Sequence, residues 1–96
     1  MGDVITAIVL INAEVNRIPE VAEAITELEG VTEVYSVAGN CDLIAMVRVK
    51  AHEDLNDVIA GRLNKIDGVV GTDTHIAFRT YSKHDLDAAF SLGLEG

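Results

Sequence analysis

The sequence places a glycine, an amide and a carboxylate within four residues, between two apolar runs. Gly39 offers bare backbone, Asn40 an amide and Asp42 a carboxylate. A carboxylate binds an ammonium group through a charge-assisted hydrogen bond, so the set could hold a small zwitterion. The same residue types dominate turns for purely local reasons, so the turn by itself leaves both interpretations open.

Two strands are predicted on either side of these residues, over 31–38 and 42–49, both rich in Val, Ile, Leu and Met. A short glycine-containing loop between two such runs is typical of a hairpin. We therefore expect a tight Gly39-Asn40-Cys41 connection. Cys41 has no basic neighbour in sequence to lower its thiol pKa, which favours a buried or spectator thiol.

The first predicted strand, residues 4–12, is apolar on both of its faces. A strand with one face in water would alternate apolar and polar residues, so both faces of this strand should be covered. Helices of the same chain can cover one face. The other face needs a further partner, which is the first indication of an oligomer.

Two amphipathic helices are predicted, each ending at a glycine. The first begins near Pro19, whose missing N–H is not needed in a first turn, and ends at Gly30. The second covers residues 52–65 and ends at Gly68. Their apolar stripes consist of Ile18, Val21, Ala22, Ile25 and Leu28, and of Leu55, Val58, Ile59, Leu63 and Ile66.

The last predicted strand, residues 69–81, is the most polar. Its two faces carry Val70, Thr72, Thr74, Ile76 and Phe78, and Asp73, His75, Ala77 and Arg79. Residues 82–96 are predicted to form a short helix, with Ser82 as its N-cap, and a tail.

An internal repeat relates the two halves, because Leu28-Glu29-Gly30-Val31 recurs as Ile66-Asp67-Gly68-Val69. Two βαβ halves joined by a hairpin predict an α+β, ferredoxin-like βαββαβ sandwich over residues 1–81. One face of its sheet is left apolar and bare. A large bare apolar face indicates an interface, and the simplest solution is a two-fold dimer with facing sheets.

Composition limits the function further. The 96 residues make one domain, and the net charge of −9 argues against direct contact with nucleic acid or an anionic membrane. No apolar run approaches the length of a membrane span, and the N-terminus has no basic region typical of a signal peptide. A single cysteine cannot form an internal disulfide, which favours the cytoplasm.

Catalytic and metal sites are not indicated. His52, His75 and His84 lack metal-ligand spacing, no nucleophile–base pair is visible, and no cofactor is expected. The alternative is a small cofactor-independent monooxygenase or isomerase on the same fold, which predicts a cavity within one subunit containing His75 or Tyr35. A purely structural assembly module is a third hypothesis.

Residues 34–43 resemble the Lrp/AsnC family pattern of a strand ending in Gly, two variable residues and Asp. Gly68-Val69 followed by Thr72 and Thr74 resembles that family's last strand. The resemblance covers residues 4–81 and is to the effector-binding, or RAM, domain. It implies a non-enzymatic module that dimerises through its sheets and assembles further into tetramers or octamers.

The resemblance also implies an amino acid or related small metabolite bound between dimers near the turn. By motif position, Gly39 would give a backbone contact and Asp42 would face the ligand's ammonium. Asn40 and Cys41 occupy the variable positions, and Thr72 and Thr74 would supply hydroxyls.

One departure from the family is large. Its regulators carry an N-terminal helix-turn-helix, for which no room remains when the first strand begins at Val4. The chain is therefore expected to sense a ligand independently, or to co-assemble with a full-length Lrp/AsnC relative and modulate transcription through assembly rather than by binding DNA.

Overall fold

A computed structural model describes residues 4–79 and 81 and contains the predicted βαββαβ order. Three-residue 3₁₀ turns follow β1 and α2. The elements are β1 (Ile5–Ala13), α1 (Ile18–Thr26), β2 (Val31–Ser36), β3 (Leu43–Val49), α2 (His52–Ile59) and β4 (Val69–Ile76). No helix in this part of the chain is long and apolar enough to span a membrane. The predicted helix and tail at 82–96 lie outside the described residues.

The four strands form one antiparallel sheet in the order β2-β3-β1-β4. The central strand β1 pairs with β3 from Ile5 opposite Val49 to Ile11 opposite Leu43. On its other side β1 pairs with β4. This arrangement confirms the ferredoxin-like α+β fold predicted from the two βαβ halves.

One face of the sheet packs against both helices. Alternate residues of β1 and β3 are completely buried there, as alternation along a strand requires. They are Ala7, Val9, Ile11, Leu43, Ala45 and Val47. Val21 and Ile25 from α1 and Leu55, Val58 and Ile59 from α2 complete this core, which confirms the two predicted helical stripes.

The other face carries four apolar side chains that no helix covers. Ile8 lies opposite Met46, and Leu10 lies opposite Ile44, so all four point to the same side. We call these four residues the open-face quartet. Each is only partly buried in the single chain, although the strands around them are fully paired.

Several predicted boundaries were wrong. The β2–β3 connection covers residues 37–42 rather than being a tight three-residue turn, and α2 ends at Ile59 rather than at residue 65. Gly61 is a poor helix former, and the chain instead makes a second short turn that buries Leu63. β4 ends at Ile76, which pairs with Ala7, rather than at residue 81.

The face predicted for Val70 was also wrong. The pairing of β1 with β4 shifts between Asn12 and Ala13, whose partners are Gly71 and Val69. Val70 is thus the extra residue of a β-bulge and is 70% exposed, instead of sharing a face with Thr72.

Gly30 and Gly68 do not terminate the helices as predicted, since α1 ends four residues before Gly30 and α2 nine before Gly68. Each instead has positive φ, +97° and +100°, immediately before a strand. The repeated Gly-Val pair therefore turns the chain into β2 and β4. At Gly68 a Cβ would also lie 2.7 Å from Val21 Cγ2, inside the core.

Replacing Gly68 with alanine should lower the free energy of unfolding by about 1–3 kcal/mol, because it adds backbone strain and overpacks Val21. Urea unfolding measures this. Gly71→Ala is the control, since a Cβ there meets no heavy atom within 4 Å. Equal stability of the two variants would contradict the prediction.

Candidate functional site

The residues 37–42 form a loop that is closed by main-chain hydrogen bonds. Val37 N donates to Asp42 O at 3.1 Å, and Asp42 N donates to Ile11 O of β1 at 2.9 Å. Gly39 has φ +152°, and both Gly39 and Asn40 are exposed. The loop thus presents a bare peptide and an amide to solvent beside the end of β1.

The carboxylate of Asp42 is bound to the backbone of the central strand. Ala13 N donates to Asp42 Oδ2 at 2.9 Å. Leu43, opposite Ile11, is the last β3 residue to pair with this end of β1. The side chain of Asp42 therefore replaces the carbonyl that a longer β3 would offer. This bond supports the turn-forming interpretation of Asp42 for one of its two oxygens.

The second oxygen, Oδ1, accepts no hydrogen bond within residues 4–79 and 81. The bond to Ala13 holds the side chain of Asp42 in place. Because Asp42 is only half-buried, the side chain is not enclosed by the protein. A carboxylate has lone pairs for several donors, so Asp42 can hold Ala13 and still accept from an ammonium. The turn and ligand interpretations are compatible.

Cys41 lies between Asn40 and Asp42 in the chain, and its free thiol is buried, with the residue only 9% exposed. A buried thiol is what the sequence favoured. Its contribution to a site on the loop is therefore limited to its backbone.

The two candidate threonines lie farther away on β4. Thr72 pairs with Ile11, which pairs with Leu43, so Thr72 is two strands from the loop, about 10 Å. Its hydroxyl donates to Asn64 Oδ1 at 2.7 Å. Thr74 lies two pairs farther along β1, opposite Val9, and is exposed. One chain does not bring either hydroxyl into contact with the loop.

Sequence reasoning missed two partners of these residues. Ala13 contributes a backbone N–H, which no residue type can signal, and it lies 29 positions from Asp42. Asn64, the partner of Thr72, lies within the predicted helix 52–65, which gave no reason to place it beside β4. An asparagine three residues past Gly61 was a signal that the helix had already ended.

A polar cluster on β2 and the end of β3 flanks the open-face quartet. The Tyr35 hydroxyl donates to Glu33 Oε2 at 2.6 Å, and Arg48 Nη1 lies 3.4 Å from Glu33 Oε1. The Tyr35 hydrogen bond, aided by Arg48, holds the pKa of Glu33 below its ordinary value. The same bond raises the pKa of Tyr35, since it favours the protonated phenol. The cluster should weaken only as pH falls through the lowered carboxyl pKa or rises through the raised phenol pKa.

The opposite flank of the quartet, on β4, carries His75, whose Nε2 lies 3.3 Å from Asp73 Oδ2. Tyr35 and His75 lie on opposite edge strands, about 14 Å apart, so they do not converge within one chain. A groove of about 490 Å³ lies elsewhere, between Gly30 and α2, and includes neither. Within residues 4–79 and 81, no group of three His, Cys, Asp or Glu side chains could hold a metal.

The sheet order, the two helices on one face and the loop at the end of β3 define a ferredoxin-like α+β domain. A family model described as the Lrp/AsnC ligand binding domain matches residues 6–86. The chain belongs to this family, which confirms the resemblance in the sequence.

Individual similarities agree with the family. An uncharacterized HTH-type transcriptional regulator of Pyrococcus furiosus is 36% identical over 77 residues, which cover 80% of this chain and 51% of that protein. The chain thus spans about half the length of the regulators it matches. A crystal structure of TTHA0845 from Thermus thermophilus is 48% identical, with a TM-score of 0.78, and covers 82% of this chain and 99% of that one.

A third similarity concerns the fold alone. The complex of the transcriptional regulator NMB0573 from Neisseria meningitidis with L-Met superimposes with a TM-score of 0.74 at 10% identity. It covers 81% of this chain and 52% of that one.

The structural role of Asp42 can be separated from its charge. Asp42→Ala leaves Ala13 N–H without an acceptor and should lower the free energy of unfolding by about 1–3 kcal/mol. Asp42→Asn keeps an acceptor oxygen in the same place and should cost less than about 1 kcal/mol. Urea unfolding of both variants tests this, and equal losses would show that the Ala13 bond contributes little.

Proposed function

We propose that the chain is an amino-acid effector-binding and oligomerisation module that uses the loop 37–42 as its ligand site. The observation that carries the proposal is the position of Asp42. One of its oxygens is bound to Ala13, the other is available, and the exposed Gly39 and Asn40 lie beside it. Membership of a ligand-binding domain family supports a ligand at such a loop.

The proposed ligand is an amino acid or a related small metabolite. Its ammonium group would bind Asp42 Oδ1, and the peptide of Gly39 and the amide of Asn40 would bind its carboxylate. Because the Ala13 bond already fixes the carboxylate of Asp42, little side-chain entropy remains to be lost on binding. The solved complex of NMB0573 with L-Met supports this class of ligand.

The loop of one chain gives only one side of this site. Thr72 and Thr74 lie about two strands away from it. We propose that a neighbouring copy supplies the remaining groups, with the ligand bound between dimers and the threonines of β4 contributing hydroxyls. Binding at such a junction would link ligand occupancy to assembly into tetramers or octamers.

The open-face quartet supports a homodimer with facing sheets. Ile8, Leu10, Ile44 and Met46 form an apolar strip, flanked by polar groups on β2 and β4. This pattern of an apolar centre with a polar rim is typical of protein interfaces.

The proposed output is transcriptional. The matched relative is named as an HTH-type regulator, and this chain, which matches the family's ligand binding domain, spans about half of it. With a net charge of −9, the chain is proposed to act through assembly, alone or with a full-length relative, rather than through DNA contact. Its proposed location is the cytoplasm, where prokaryotic transcription occurs.

A thermal-shift screen of the twenty amino acids tests ligand binding. At about 100 times its dissociation constant, a ligand stabilises the folded protein by about 2.7 kcal/mol, which gives a clear rise in Tm. We expect one or a few amino acids to raise Tm for the unmodified chain but not for Asp42→Asn, which retains the bond to Ala13 and loses the charge.

Two results would contradict this mechanism. If Asp42→Asn responds like the unmodified chain, the ammonium contact is wrong. If no amino acid raises Tm of a correctly folded protein, the effector class is wrong, and a structural assembly module becomes the better hypothesis.

Ile44→Asp should disrupt the homodimer, because it places a charge in the centre of the open-face quartet. Light scattering should then give a mass near the 10.3 kDa of one chain instead of a multiple of it. Val70→Asp is the control, because Val70 is 70% exposed and lies outside the quartet. A monomeric unmodified chain would refute the proposed interface.

A further inference from the structure

A groove of about 490 Å³ lies on the helix side of the domain, between the turn before β2 and the helix α2. Its walls come from Glu29 and Gly30, from Arg48 and Val49 at the end of β3 with Lys50 just after it, and from α2 and the residues that follow α2. The volume is within the range of small-molecule sites, about 300–1,000 Å³.

The bottom of the groove is apolar and is kept open by a missing side chain. A Cβ on Gly30 would lie 3.2 Å from Val49 Cγ1 and 3.3 Å from Val58 Cγ2. Gly30 also has φ +97°, which other residues rarely adopt. Gly30 therefore packs closely on Val49 and Val58, which line the bottom of the groove; Val49 is partly buried and Val58 is 6% exposed.

The walls carry both signs of charge. Lys50 and Arg62 lie beyond the two ends of α2, and Asp54 and Asp57, three residues apart, share one face of that helix. Glu29 and Arg48 also line the groove. Arg48 is paired with Glu33, whereas within the described residues the other five charged side chains take part in no ion pair shorter than 4.0 Å. The groove therefore holds opposite charges that do not neutralise each other directly.

We propose that this groove is a second ligand site, which binds a small zwitterion of about dipeptide size. Its carboxylate binds Lys50 and Arg62, its ammonium binds Asp54 and Asp57, and its apolar atoms lie on Val49 and Val58. A simple anion or a simple cation meets side chains of both signs in this groove. A molecule that carries both charges can place each of them beside opposite charges.

This site is separate from the loop at residues 37–42. The loop lies before Leu43, at the start of β3, and the groove lies at the other end of β3, around Val49. The length of β3, about 20 Å, therefore separates them. A ligand in the groove cannot touch Asp42, and the two sites can be observed independently in one experiment.

Methyl NMR of the full chain, titrated with glycylglycine, tests the proposal. Val49 and Val58 methyl shifts report on the groove, and Leu43 methyl shifts report on the loop. We expect saturable shifts of Val49 and Val58 in the millimolar range. N-acetylglycylglycine, which lacks the ammonium, and glycylglycinamide, which lacks the carboxylate, should each bind roughly tenfold more weakly, the effect of losing one charged hydrogen bond.

Variants assign the charges. Lys50→Gln with Arg62→Gln, and Asp54→Asn with Asp57→Asn, should each weaken glycylglycine binding by roughly tenfold or more. Lys65→Gln, on the neighbouring 3₁₀ turn and outside the groove, should leave it unchanged. Absence of saturable Val49 and Val58 shifts, or equal affinity for the blocked peptides, would overturn the second site. Shifts at Leu43 bear only on the loop.

Discussion

The central strand β1 is apolar on both of its faces, and water must be excluded from both. The helices satisfy this requirement on one side, where Ala7, Val9 and Ile11 are completely buried. On the other side Ile8 and Leu10 have only their strand neighbours to cover them. The chain by itself therefore closes only one face of its sheet. Its sequence is consistent with this, because about half of the residues are hydrophobic in a chain too small to bury them all alone.

The end of β1 connects the candidate site to the rest of the sheet. Ala13 pairs with Val69 of β4 on one side and donates its N–H to Asp42 on the other. The next residue, Glu14, donates to Gly68 O at 2.9 Å. The loop that carries Asp42 and the start of β4 are thus held by consecutive residues, Ala13 at the end of β1 and Glu14 just after it. A displacement of the loop would act on the β-bulge at Ala13 and, through it, on the edge strand.

The fold was predictable because its signals extend over many residues. The apolar runs of β1 and β3 and the helical stripes before Gly30 and Gly68 each rest on several side chains, so an error at one residue does not change the outcome. The site was predictable only in part. The residue types at Gly39 and Asp42 indicated a polar loop, but the bond of Asp42 to Ala13 joins residues 29 positions apart. Such a contact follows from the register of β1 and β3, which local residue preferences do not determine.

The first strand begins and the last strand ends at the same corner of the sheet. Ala77 N donates to Thr6 O at 2.9 Å, so the start of β1 and the end of β4 are hydrogen-bonded neighbours. The loop 37–42 lies at the opposite end of the sheet, beyond the far end of β1. In a longer protein, a domain joined at either end of the sandwich would thus be attached at the end of the sheet away from that loop.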